Sequence, residues 1–463
     1  MKHFVKHILP VLALWAALSC TQQDPDAPAV KMRAVNFNPG LEDAESRTVL
    51  DGNTVQWETG DAICVWDGIQ QNKFVRSSGA TFTGEIAEEP TELYAYYPEL
   101  EVNTNTQAVL KTSDETPTFT TFLPSFQRLR PNSVSQGALI TACKPTLDGD
   151  NLYGQMQILC SFIKFTIGDA ENSKVTKVRF TGLSGKFLSG RCDLVFGDTS
   201  IDLVALSENK YVECAPASGA CFQNGTYYVT TLPYNHQGFT ISVTTEDGKV
   251  YEYTKAGWTN LTKNHVTYVG QVDSKIATAG GLTEKYSILV DFINNTGITG
   301  VPASTGTATM SVPVNGSSYD FPIKGLYGTV GNYLTFNGGS TKDAYVETPA
   351  LEGKTLKEAV VTWVGYKGGN GNAVWIKDAS ANYSGKYFTN KAIDGTEKKR
   401  YAIPVIGGNN SYPFRVAHVF VLGTNSKGES ALTLSTPAAN TSYKIWQGDN
   451  INSRVEQIQL IYE

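Results

Sequence analysis

The sequence predicts an all-β protein built from two tandem β-sandwiches and a third, jelly-roll sandwich, and three observations carry that expectation. Strand formers are plentiful, with 23 Tyr and 20 Phe beside many Val and Thr. Turn punctuation is dense, since 43 Gly and frequent Asn interrupt the apolar runs at short intervals. No long stretch carries apolar residues at the helical period, so helix should be minor. At 463 residues the chain exceeds one ordinary domain, and roughly 100 to 200 residues per domain implies about three. The expected division is an export signal at 1–20, a tether at 21–29, sandwiches at 30–160 and 161–275, and the jelly roll at 286–463.

The chain opens with Lys2 and Lys6, an apolar core from Ile8 to Leu18, and then Ser19-Cys20. A basic start, a short apolar run and small residues before the cut describe an export signal, too short to span a bilayer of about 30 Å as a mature helix. Ala17-Leu18-Ser19-Cys20 resembles a bacterial lipobox, which makes Cys20 the expected lipidation site and implies anchoring in the outer membrane. Thr21 to Ala29 is polar and broken by Pro25 and Pro28, as a tether would be. Its acidic residues, just after the Cys, look like the surface-export signals of Bacteroides lipoproteins.

Val30 to Phe37 alternates as a first strand, followed by an acidic loop from Asn38 to Ser46. Asp51-Gly52-Asn53 is a tight-turn signal between two strand-forming runs, the second broken at Gly60-Asp61, so Ser46 to Trp66 reads as a hairpin. Trp57-Glu58-Thr59-Gly60-Asp61-Ala62-Ile63-Cys64-Val65 resembles the W-x-x-G-D-x-I-x-V signature of fimbrillin-like lipoproteins of Bacteroides-type bacteria, which build or decorate type V pili. Further matches follow in the family's order: Phe82-Thr83-Gly84, Tyr94 to Pro98, Leu123-Pro124 with Gln127, Phe162 to Phe165, Tyr228-Val229 with Leu232-Pro233, and Gly238-Phe239. They cover residues 30–270.

The resemblance implies fimbrillin-type, transthyretin-like sandwiches and a donor-strand mechanism. In that family an Arg-specific protease cuts between the first and second strands, and a neighbouring subunit fills the vacated groove. An exposed sheet edge is a ready template for such pairing. Arg47 is the expected cleavage point, because Arg33 lies inside the putative first strand. Expected partners are therefore other pilin subunits, joined by donor-strand exchange.

Short alternating runs recur from Gln56 to Cys160, and a second series runs from Ser161 to Val269. Gln271 to Lys285 is small and polar enough for a linker. Beyond Tyr286, runs such as Tyr333 to Phe336, Ala344 to Thr348, Ala359 to Val364, Phe414 to Val421 and Val455 to Tyr462 suggest about eight strands with long Gly/Asn-rich loops. This part lies outside the resemblance to stalk pilins and looks more loosely like carbohydrate-binding and galactose-binding-like modules.

Signals for chemistry are sparse. The net charge of −6 with dispersed basic residues excludes an electrostatic footprint for nucleic acid. Past the signal only His236, His265 and His418 remain, and no H-E-x-x-H, G-x-S-x-G or P-loop pattern occurs, so no enzyme activity, catalytic residue, metal or cofactor is expected. Ser161-Phe162-Ile163-Lys164 matches S-x-x-K, but that motif needs a helix and this run is strand-like. Asp148-Gly149-Asp150 lacks the oxygen count of a calcium site. Seven Cys lack C-x-x-C spacing. Cys64, Cys143 and Cys160 lie in apolar runs, where buried thiols and disulfides are both open. Cys214 and Cys221 flank a loop-like spacer and form the best-placed candidate pair.

Sugars bind by stacking on loop aromatics while amides and carboxylates hold their hydroxyls. On that ground Tyr366, Trp446, Asp449 and Asn450 are the candidate glycan-binding residues, placed in two late loops, with Trp363 and Trp375 assigned to the core. The expected function is a non-enzymatic, surface-exposed lipoprotein, tip or accessory subunit of a type V pilus, that mediates adhesion to a carbohydrate or host surface. The alternative is a stand-alone cell-surface glycan-binding lipoprotein that uses the pilin-like domains as a spacer.

Overall fold

A computed structural model describes residues 30–41, 57, 61–99, 118–135, 137–276, 284–295, 297–328, 331, 333–336, 344–364, 374–378, 415–422, 438–447 and 453–463. The fold is almost wholly β, as expected. The first stretch holds β1 (Met32–Leu41), β2 (Ala62–Trp66), β3 (Gln71–Ser78), β4 (Thr81–Ala87), β5 (Tyr94–Tyr97), β6 (Thr118–Leu123), β7 (Phe126–Leu129), β8 (Thr141–Cys143), β9 (Thr146–Asp148) and β10 (Asn151–Ile158). The second holds β11 (Ser161–Ile167), the one-turn helix α1 (Ala170–Ser173), β12 (Val175–Gly182), β13 (Ser189–Phe196), β14 (Ile201–Asn209), β15 (Tyr211–Pro216), β16 (Gly225–Thr231), β17 (Asn235–Thr245), β18 (Lys249–Asn260) and β19 (Val266–Gln271). The third holds β20 (Glu284–Asp291), β21 (Gly306–Val314), β22 (Ser317–Gly328), β23 (Leu334–Phe336), β24 (Ala344–Glu347), β25 (Leu356–Val364), β26 (Val374–Asp378), β27 (Arg415–Val421), β28 (Tyr443–Gln447) and β29 (Ser453–Tyr462).

Three apolar cores organise these strands. The first lies between the sheet β4-β3-β2-β5-β8-β10 and the small sheet β14-β13-β6, which supplies Phe119, Leu194 and Phe196. The β13–β14 hairpin thus reaches back from the second stretch to cover the first core. A second core, with Phe165, Phe180 and Ile241, fills the space between β16-β11-β19 and β7-β15-β12-β17-β18. The third lies between β27-β25-β29-β20 and β21-β22-β24-β28-β26, where every described pairing is antiparallel.

Local chemistry explains several turns and motif residues. Asp67, fully buried, turns the chain from β2 to β3 by accepting the backbone N–H groups of Ile69 and Gln70 at 2.9 and 2.8 Å, and it also accepts that of Ala87 at 3.0 Å. Trp57 packs edge-on against Phe82 and Tyr97 with centroids 5.1 and 5.2 Å away, and Asp61 accepts the Tyr97 hydroxyl at 2.9 Å. Trp57 and Asp61 of the W-x-x-G-D signature are therefore core architecture. Gln127 imitates a strand, because its side-chain amide donates to Thr230 O at 2.7 Å and accepts from Thr230 N at 2.9 Å.

The second and third modules are joined by more than a linker. β20 begins at Glu284 and pairs with β18 from Tyr286↔Lys249 to Glu284↔Tyr251, so one sheet runs continuously through both. Their outer faces also meet around a buried ionic network. Arg128 on β7 donates to both oxygens of Asp291 on β20 at 3.0 and 3.1 Å and to Glu456 on β29 at 2.5 Å. Arg179 bridges Glu213 and Glu358, each at 2.6 Å, and Lys177 lies 2.7 Å from the other oxygen of Glu213. Burial works against the Lys177 ammonium and pulls its pKa down. Burial raises the Glu213 and Asp291 carboxyls, but the cations beside them outweigh it and hold both below the usual range.

The segment from Thr118 to Leu129 touches every core. Phe119 and Leu123 enter the first, Phe122 the third and Leu129 the second, while Phe126 lies in the apolar cluster between modules with Ala215, Val360 and Ala417.

No disulfide joins Cys214 and Cys221, which corrects the expected pair. All six described Cys are free thiols. Cys214 is committed to the second core on β15, with its thiol donating to Val178 O at 3.5 Å, and only Cys221 is partly exposed. Ser161 lies on β11, in agreement with the strand reading of its S-x-x-K match.

Candidate functional site

The element with a functional geometry is β1. It pairs antiparallel with β4, from Met32↔Ala87 to Phe37↔Phe82, and parallel with β10, from Asn36↔Asn151 to Leu41↔Met156. These two ladders make β1 the strand that bridges the outer edges of the first sheet. The expectation of a paired strand ahead of Arg47 is met.

β1 alternates cleanly. Val35, Phe37 and Pro39 are buried, whereas Ala34, Asn36, Asn38 and Gly40 are exposed. Phe37 has no exposed surface and stands in register with Phe82 on one side and Leu152 on the other. Burying a Phe or Val side chain contributes about 1.5–3 kcal/mol. Polar attachments are confined to the rim: Thr81 Oγ1 donates to Asn38 Oδ1 at 2.6 Å, and Arg33 stands 4.0 Å from Asp150, whose side chain is largely exposed. The strand is thus held by a backbone ladder on each edge and one apolar face, and none of its described side chains is a buried charge.

The covalent layout matters as much. Among the described strands β1 comes first, and the segment between β1 and β2 is its covalent link to the strands that it pairs with. A single cut there separates the strand from everything it pairs with. Two edges then stand open, Phe82 to Ala87 of β4 and Asn151 to Met156 of β10.

Arg47 and Cys20 lie outside the described residues, as do Tyr366, Asp449, Asn450 and the Asp51-Gly52-Asn53 turn. Arg33 lies within β1, in register with Ile86. Trp446, expected in a loop, instead belongs to β28, in register with Tyr345 of β24 and Trp375 of β26. The reason is visible in Tyr443-Lys444-Ile445, where Tyr443 and Ile445 are buried and Lys444 is not, a strand alternation just before Trp446 in the same strand.

Titratable groups elsewhere serve the fold. His236 is fully buried, with Nδ1 3.0 Å from Ser184 Oγ, and burial lowers its pKa to about 4. Burial raises the thiols of Cys64, Cys143 and Cys160 to about 12. Among the described residues no group of three His, Cys, Asp or Glu is placed to hold a metal.

Neither a protein-family model nor a curated protein matches the sequence. Solved structures do resemble it. A putative cell adhesion protein from Bacteroides ovatus aligns with 55% of this chain and 96% of its own, at 14% identity and a TM-score of 0.35. One from Bacteroides thetaiotaomicron aligns over 52% and 94% at 14% identity and 0.28. A fimbrial protein from Bacteroides ovatus aligns over 52% of this chain at 13% identity and 0.26, and this chain spans about half of its length, 48%.

Proposed function

We propose that this protein is a non-enzymatic surface lipoprotein, anchored through Cys20, that enters a type V pilus as a strand acceptor and mediates adhesion. Cleavage at Arg47 frees β1, and an extended strand from a neighbouring subunit takes its place between β4 and β10. The observation that carries this reading is the position of β1: interior to a sheet, first among the described strands, and fastened by backbone ladders and one apolar face. A strand with apolar residues at alternate positions reproduces every one of those contacts.

The tip or accessory assignment rests on the other end. β29 pairs with β25 along one edge and with β20 and β23 along the other, and its side chains are buried from Val455 to Tyr462. A strand paired on both edges and buried in its own core, as β29 is, is not free to be lent to a neighbour. N-terminal sequencing of the protein released from cells tests the processing step. A start at Thr48 is expected; a start only at acylated Cys20 contradicts it.

A further inference from the structure

The strand groove does not use the junction of the second and third modules, where a cleft of about 640 Å³ opens. That size falls within the range of about 300–1,000 Å³ typical of small-molecule sites. Its walls are the end of α1, the β17–β18 turn, the turn after β20 and the β21–β22 turn, so two modules contribute to one concavity. We infer that this cleft binds a neutral, hydroxyl-rich ligand, a small saccharide.

The charge pattern selects against ions. Lys174 stands 3.1 Å from Glu246, Asp247 accepts from Thr245 and from the Lys249 backbone, and Asp291 is held by both arms of the Arg128 fork. Each of these charges is matched before a ligand arrives. Three carboxylates against one ammonium on the walls disfavour an anion, and no metal-holding group of three exists among the described residues. Two buried polar atoms remain. Ser173 Oγ and Asn294 Nδ2 both belong to residues that line the cleft, and neither has a hydrogen-bond partner among the described residues. Ser173 is only 7% exposed. An unmet buried donor costs about 1–3 kcal/mol, and a ligand hydroxyl placed there accepts from the amide and shares a proton with the serine.

An apolar ligand leaves both atoms unmet. An extended peptide meets the hairpin turns of these walls and likewise leaves the two side-chain atoms without a hydroxyl partner. A sugar ring satisfies both demands, with hydroxyls toward Ser173 and Asn294 and its CH face against Tyr251 and Leu289. No residue of β1 lines this cleft, so the inference stands or falls apart from strand exchange.

The test uses the full-length protein and a fixed panel of glucose, galactose, mannose, fucose, N-acetylglucosamine and lactose, followed by saturation-transfer NMR, with melting temperature measured for every variant. At least one sugar is expected to receive saturation, and Asn294→Leu is expected to weaken its binding about tenfold or more. Asn172→Trp, on the exposed rim, is expected to block binding without disturbing a buried atom. Silence across the whole panel overturns the inference, as does binding that survives both substitutions in a folded protein.

Discussion

The first and last strands of this protein are both interior strands, yet they are held by different physics. β1 buries one face and carries Ala34, Asn36, Asn38 and Gly40 outward. β29 buries both faces: Val455, Ile458, Leu460 and Tyr462 enter the third core, while Glu456 meets Arg128, Gln457 donates to Asp291 at 2.9 Å and Gln459 donates to Thr244 Oγ1 at 2.9 Å. Another alternating strand can repeat the bonds of β1, because backbone ladders and apolar contacts are not sequence-exclusive. Those of β29 need particular charges at particular depths. The comparison teaches that β1, the strand proposed to be exchanged, and β29 differ in buried charge more than in hydrogen-bond count.

The largest effect is expected at the permanent end. Arg128→Ala leaves Asp291 and Glu456 buried and facing each other, a change that costs about 3–5 kcal/mol. Calorimetry should show the second and third modules melting markedly earlier; an unchanged melting profile would mean the ionic junction is incidental. At the replaceable end, Phe37→Ala should cost about 3–4 kcal/mol as an emptied core position. Its neighbour Asn36→Ala should cost less than about 0.5 kcal/mol. Equal effects at the two positions would break the one-faced account of β1.

Acid should separate the two ends. Glu213 and Asp291 have folded pKa values held below the usual carboxylate range, so the stability they contribute is present above the unfolded pKa and is lost as pH falls through the folded one. His236 adds to this. Its folded pKa, about 4, lies below the 6.5 usual for histidine, so the unfolded chain binds more protons between those limits and stability falls as pH drops through that window. Hydrogen exchange followed from neutral to acid pH should therefore show protection fading in β17 and β29 before β1, and the reverse order would contradict the comparison. The smallest effect concerns Cys221, whose thiol burial raises to about 11. It should label slowly, ahead of the other five described thiols, and Cys221→Ala should leave stability nearly unchanged.

Much of the fold was legible because its signals are local. The alternation of Val35 with Phe37 and the runs of β11, β17 and β25 announce strands without tertiary information, whereas Asn38 to Leu41, expected as loop because it lacks β-formers, continues β1 by pairing with β10. The role proposed for β1 comes only from the motif resemblance, and nothing in Val30 to Phe37 reveals that its two neighbours would be β4 and β10. The β21–β22 hairpin went unremarked, although Asn315-Gly316, with φ of 48° and 74°, carries the usual signature of a tight hairpin turn. The ionic junction was beyond reach in principle, because Arg128 and Glu456 are 328 positions apart and each reads alone as an ordinary surface charge. The cleft at Ser173 and Asn294 was equally hidden, being assembled from turns of two modules.

The central claim is that β1 is a removable strand whose groove accepts another. It is tested most directly by cutting the purified protein at Arg47 and offering a labelled peptide that spans residues 30–41. The account predicts that the native segment leaves, that the labelled peptide enters with the body still folded, and that a peptide carrying Phe37→Asp does not. A cleaved segment that never exchanges, or a body that unfolds as soon as the link is cut, would contradict it.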